Sequence, residues 1–140
     1  MPCLEITMPK SDARTKQELA ARITDTVTQI AGFEPEIFGI HFMEYGDGQA
    51  AQAGKLWDGM HGIPYLHFVL YCPRLRRTTK RKLVESLTHV FTETLGEPDW
   101  LPIIHICEHP YDNIGVGGEI LSYADDALAA RLFYYDTPED

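Results

Sequence analysis

Apolar and polar residues alternate over 2–8 and again over 64–72, in short runs that end near a proline, the period of a strand covered on one side. Between and after these runs the period lengthens. Over 13–31, Leu19, Ala20, Ile23, Val27, Ile30 and Ala31 fall on one helical stripe; over 78–95, Leu83, Leu87, Val90, Phe91 and Leu95 do the same. Asp12 and Thr78 stand where helix N-caps belong, and Gly32 and Gly96 where C-caps belong. Further short apolar runs at 37–45 and 101–109 predict two more strands. The order is strand, helix, strand, and then the same again.

The two units are copies. Pro2-Cys3-Leu4-Glu5-Ile6-Thr7-Met8-Pro9 is answered by Pro64-Tyr65-Leu66-His67-Phe68-Val69-Leu70-Tyr71-Cys72-Pro73. Leu19, Ile23, Thr24, Thr28 and Gly32 match Leu83, Leu87, Thr88, Thr92 and Gly96 at a spacing of 64, as Ile40, His41 and Glu44 match Ile104, His105 and Glu108. A helical crossover joins parallel strands with right-handed sense. Two such units predict an α+β two-layer sandwich: a four-stranded sheet with both helices on one face. The repeats span 2–45 and 64–122 within a single domain, 1–140. The glycine-rich linker 46–63 is expected to carry a short strand or hairpin in which Leu56, Trp57 and Met60 are buried, and 123–140 a last helix over 123–135 and an acidic tail. One face of the sheet has no helix to cover it, which predicts self-association in a closed homo-oligomer.

Composition narrows the function. A chain of 140 residues with 44% apolar and 24% charged residues is one ordinary soluble domain, burying about two thirds of its unfolded surface. No apolar run reaches membrane-spanning length and no signal peptide stands at the start, and Cys3, Cys72 and Cys107 have no CxxC spacing, so reduced thiols in the cytoplasm are expected. No cluster has metal-ligand spacing and no glycine run has the phosphate-loop pattern, so neither metal nor cofactor is expected. The net charge of −9 argues against nucleic acid as a partner. Against that background Arg74, Arg76, Arg77, Lys80, Arg81 and Lys82 form a cationic island, and the first three lie between the third strand and the second helix. It suits a small anion, because an arginine fork binds a carboxylate bidentately.

Pro2 offers the other chemistry. With Met1 removed, as expected before a small second residue, it exposes a secondary amine. An α-amino group titrates near ~8 in peptides. Burial and nearby guanidinium groups both favour its neutral form, which is a base at neutral pH.

A proline behind the initiator methionine, a duplicated βαβ unit, and the segment running from Glu108 to Glu119 with Gly115-Val116-Gly117-Gly118 together resemble the tautomerase superfamily over residues 2–122. The form resembled is the fused, two-unit 4-oxalocrotonate tautomerase type. The resemblance implies the tautomerase/macrophage migration inhibitory factor-like fold, a homotrimer and cofactor-independent keto-enol proton transfer on a small carboxylic acid. It implies Pro2 as the catalytic residue and Arg74, Arg76 and Arg77 as carboxylate ligands. His105, Tyr111, Asn113 and Ile114 are further candidates for the substrate pocket. A hydratase, dehalogenase or decarboxylase of a three-carbon acid is the alternative within the family. It is weakened by Val27 and Val116, which stand where the dehalogenases carry a histidine and a water-activating carboxylate, and by Glu36, which lies out of register with the decarboxylase aspartate. A trimeric scaffold without chemistry is the alternative if Met1 is retained.

Overall fold

The computed structural model of the protein describes residues 2–124. Strand β1 (Cys3–Pro9) leads into helix α1 (Ala13–Ala31) and then β2 (Gly39–Tyr45). After a two-residue hairpin pair, β3 (Ala51–Gln52) and β4 (Lys55–Leu56), the plan repeats as β5 (His67–Cys72), α2 (Arg77–Leu95) and β6 (Ile103–Glu108). A small hairpin, β7 (Gly115–Val116) and β8 (Glu119–Ile120), and a turn of helix, α3 (Leu121–Ala124), follow.

The sheet runs β2-β1-β5-β6. Pairing is parallel inside each unit and antiparallel where β1 meets β5 at the centre. Alternation sends Leu4, Ile6 and Met8 of β1 and Phe68, Leu70 and Cys72 of β5 to the helix side, where all six are buried. Leu19, Ile23 and Val27 of α1 and Leu83, Leu87, Val90 and Phe91 of α2 close that layer. Phe68 and Phe91 meet edge to face at 5.0 Å. Arg22 of α1 donates to Thr94 and Glu93 of α2, both at 2.8 Å, and so ties the two helices together.

Asp12 caps α1 as expected, accepting from the Thr15 amide at 2.6 Å. Gly32 and Gly96 end their helices in the left-handed region, at φ 75° and 68°, where an L side chain is disfavoured. Thr78 is not a cap. The second helix starts one residue earlier, with Arg76 in the N-cap position and no side chain capping it.

The structure also corrects the repeat alignment. The Gly39 amide donates to the Pro2 carbonyl and the Ile103 amide to the Leu66 carbonyl, and Cys3 pairs with Gly39 as His67 pairs with Ile103. The spacing is therefore 64 throughout, and the counterpart of Pro2 is Leu66, not Pro64.

The linker holds the expected hairpin. Trp57 anchors it, half-buried and edge-on to both Tyr45 and Trp100. Leu56 and Met60 are 68% and 81% exposed, contrary to expectation, because the two-stranded ribbon has only one side against the domain. The helix expected over 123–135 overlaps only the end of α3 and otherwise lies, with the tail, outside the described residues.

Among the described residues, no helix covers the far face of the sheet. It presents His41, Glu5, Val69 and His105 in one cross-strand row and Met43, Thr7, His67 and Ile103 in the next, so it is mixed rather than purely apolar. No helix among the described residues is long and apolar enough to cross a membrane.

Candidate active site

Antiparallel pairing at the sheet centre decides where chemistry can gather. Cys3 lies opposite Tyr71, so the start of β1 and the end of β5 share one end of the sheet. One residue before Cys3 is Pro2; two residues after Tyr71 the chain leaves the sheet through Pro73, Arg74 and Leu75. The C-terminal end of α1 comes down beside them, because a βαβ crossover returns its chain to the edge where it began.

The result is a cleft of about 560 Å³. Its wall is made by Pro2, Ala31 to Glu34, Ile37, Pro73 to Leu75, Tyr111 and Leu121. Pro2 is buried, and its carbonyl is held by the Gly39 amide at 3.3 Å. Most of the lining is apolar; Arg74, Glu34 and Tyr111 bring the polar chemistry. The groove between the helices, lined in part by Thr26, Gln29, Glu85, Ser86 and His89, holds no arginine.

The loop that carries Arg74 is fastened from β6. The Glu108 carboxylate accepts the Leu75 amide at 2.6 Å and the Lys80 ammonium at 3.0 Å. The first repeat has the same device: Glu44 accepts the Ser11 amide and the Lys16 ammonium, both at 2.6 Å. The Lys16 bond, then the Ser11 bond, hold the Glu44 carboxyl below its ordinary range. Under the cleft, burial pushes the Cys72 thiol up to about 12, with the Glu108 charge adding to the shift. That thiol is a packing group and not a nucleophile at neutral pH.

Three of the residues singled out from sequence, Pro2, Arg74 and Tyr111, thus line one cleft. Arg76 and Arg77 are exposed at the start of α2 and lie outside its wall, as do Asn113 and Ile114; the Ile114 carbonyl is engaged by the Leu121 amide at 2.8 Å. His105 is elsewhere. It points from β6 onto the uncovered sheet face, where its Nδ1 is 2.6 Å from Nε2 of His67. By the period of two in a strand it shares a face with Ile103, and that face turns away from the helices. Sequence reasoning passed over Phe33, Glu34 and Ile37. They follow the C-cap glycine of α1, and a cap that ends a helix at the edge of a sheet was the signal that could have located them.

Residues 64–124 match the family model described as tautomerase enzyme. The sequence matches none of the curated proteins. Among solved structures, the chain is similar to Pt0534 inactivated by 2-oxo-3-pentynoate, with 24% identity over 92% of this chain and 99% of that one and a TM-score of 0.76. Native fused 4-OT is 21% identical over 86% of this chain and 97% of its own, with a TM-score of 0.78. A fused 4-OT described as an asymmetric trimer is 18% identical, covering 87% and 98%, with a TM-score of 0.74. The fold of these proteins is the fold of this chain, across both repeats.

Proposed function

We propose that this chain, whose residues 64–124 match the tautomerase family model, is a cofactor-independent tautomerase acting on a small 2-oxo or enol carboxylic acid. The observation that carries this reading is the meeting of Pro2 and Arg74 in one largely apolar cleft. With Met1 removed, the Pro2 nitrogen is a secondary amine. Apolar burial beside a guanidinium favours its neutral form. Arg74 binds the substrate carboxylate. Pro2 takes the enol hydroxyl proton, negative charge spreads over the resulting dienolate, and the prolinium returns the proton to carbon. Arg74 stabilises the charge that develops between the two transfers. Tyr111 closes the cleft and offers a hydroxyl to the substrate oxygen. Arg76 and Arg77, on the rim side of the loop, raise the local concentration of anions.

We further propose a homotrimer, on the resemblance to fused 4-OT trimers and on the sheet face left without helices among the described residues. Reduced Cys3, Cys72 and Cys107 fit a cytoplasmic setting.

A second reading is favoured by Glu34. A carboxylate in the same cleft as Pro2 can hold and activate water, as a hydratase or dehalogenase requires. The test takes both together. Ketonisation of 2-hydroxymuconate and of phenylenolpyruvate is followed with wild type, Pro2→Ala and Glu34→Gln, after intact mass has established the loss of Met1. The tautomerase reading expects turnover lost in Pro2→Ala and retained in Glu34→Gln. Equal rates for wild type and Pro2→Ala refute it. Hydration of a three-carbon acetylenic acid that depends on Glu34, without ketonisation, selects the second reading. A retained methionine and no turnover select the scaffold.

A further inference from the structure

We propose that Glu108 is the positioning residue for the carboxylate-binding arginine, an inference that rests on the role given to Arg74. Arg74 sits between two fastened points. On one side, Cys72 is paired in the sheet opposite Glu108, and its carbonyl accepts the His109 amide at 3.0 Å. On the other, the Leu75 amide donates to Glu108 Oε2 at 2.6 Å. Only Pro73 and Arg74 lie between, and Pro73 has a fixed φ. The remaining oxygen of Glu108 is held by Lys80 one turn into α2, so the carboxylate is itself fixed and accepts two bonds, one of them from a cation. Its side chain is 23% exposed. Without this carboxylate the turn keeps its start in the sheet and loses the anchor that follows Arg74.

A purely electrostatic role predicts the opposite sign from a positioning role. A negative group near the cleft repels an incoming carboxylate, so removing its charge would tighten anion binding. Positioning requires that binding loosen even though that repulsion is gone. The first repeat supplies the control. Glu44 makes the same two bonds to Ser11 and Lys16, but its loop carries Lys10 where the second repeat carries Arg74, and Lys10 does not line the cleft.

The experiment compares Glu108→Gln and Glu44→Gln with wild type. A neutral amide has one acceptor oxygen, so it cannot hold the Leu75 amide on one oxygen and Lys80 on the other as the carboxylate does. KM for 2-hydroxymuconate and the dissociation constant for pyruvate, by titration calorimetry, are read alongside the melting temperature. The expected result is similar thermal destabilisation in the two variants. KM and the pyruvate dissociation constant should rise about 5- to 20-fold in Glu108→Gln alone, with kcat/KM falling by at least that factor. Should Glu108→Gln fail to fold, Lys80→Gln keeps the carboxylate in the chain and frees it to swing; it is expected to move both constants in the same direction by a smaller factor. Unchanged or tighter carboxylate binding in these variants overturns the proposal, as does an equal loss in Glu44→Gln. Wild type that binds pyruvate without turning over an enol acid removes the tautomerase reading, and the pyruvate series still judges Glu108. Wild type that neither binds nor turns over removes both.

Discussion

The two repeats build the same scaffold and differ at the few places where chemistry could occur. Leu66 holds the place of Pro2, Lys10 that of Arg74, Ser11 that of Leu75, and Asp12 that of Arg76. Both carry the glutamate that fastens the loop from the neighbouring strand and the lysine that fixes the glutamate. Only the first repeat has a side-chain cap, since Asp12 accepts from the Thr15 amide whereas an arginine at position 76 has no acceptor to give. The second helix has exchanged a local stabiliser for a cation ahead of its N-terminus, where the helix dipole disfavours positive charge. The scaffold tolerates this because its stability comes from the shared apolar layer, and loops between fixed elements are free to diverge.

The comparison breaks most severely at the chain start. Pro2→Ala is expected to lower kcat by about 10²- to 10⁴-fold with little change in melting temperature, the usual worth of a positioned acid-base group. Leu66→Ala, at the matching place, is expected to act on melting temperature instead. The scaffold should respond evenly: Ile6→Ala and Leu70→Ala, buried and equivalent by repeat, should each cost about 2–5 kcal/mol in chemical denaturation. A large inequality between them would mean that one repeat dominates the core. Arg74→Ala is expected to raise KM about 10- to 100-fold, the range for a lost charged hydrogen bond, and Lys10→Ala to leave it unchanged. Smaller effects follow at the caps. Asp12→Ala should lower the melting temperature by a few degrees and Arg76→Asp raise it, since the second helix would gain the cap that the first already has.

The fastening glutamate of the first repeat sets a pH signature. The Glu44 carboxyl is held below its unfolded value, so it binds fewer protons in the folded state. Its contribution is present above the unfolded carboxylate range and lost as pH falls through the folded value. Urea denaturation should therefore separate wild type from Glu44→Gln at pH 7 and show the gap closing below about pH 4.

Much of this was legible in the sequence. The stripe of Leu19, Ile23 and Val27 gave the extent of α1, and the alternation of Leu4, Ile6 and Met8 gave the face of β1, because burial imposes those periods directly. Pro2 and Arg74, far apart in sequence, were paired by the resemblance to fused 4-oxalocrotonate tautomerases and not by any spacing of their own. What was hidden depended on geometry across strands. Pro64 matches Pro2 in letters, but pairing with Ile103 makes Leu66 the equivalent residue. His105 shares a strand with Glu108, which fastens the Arg74 loop, yet its side chain goes to the uncovered face and meets His67. Glu34 carries no chemical motif in the sequence; the left-handed turn at Gly32 leads the chain to where Glu34 lines the same cleft as Pro2. Leu56 and Met60 read as core and lie in the open, because apolarity alone does not say which side of a ribbon finds a partner.

The antiparallel seam between β1 and β5 has a stoichiometric outcome. It aims the two halves at opposite ends of the sheet, and only one end begins with a residue whose nitrogen can be set free. A reagent that alkylates that nitrogen should therefore saturate at one equivalent per polypeptide, where two separate half-length chains, each with its own leading proline, would take up two.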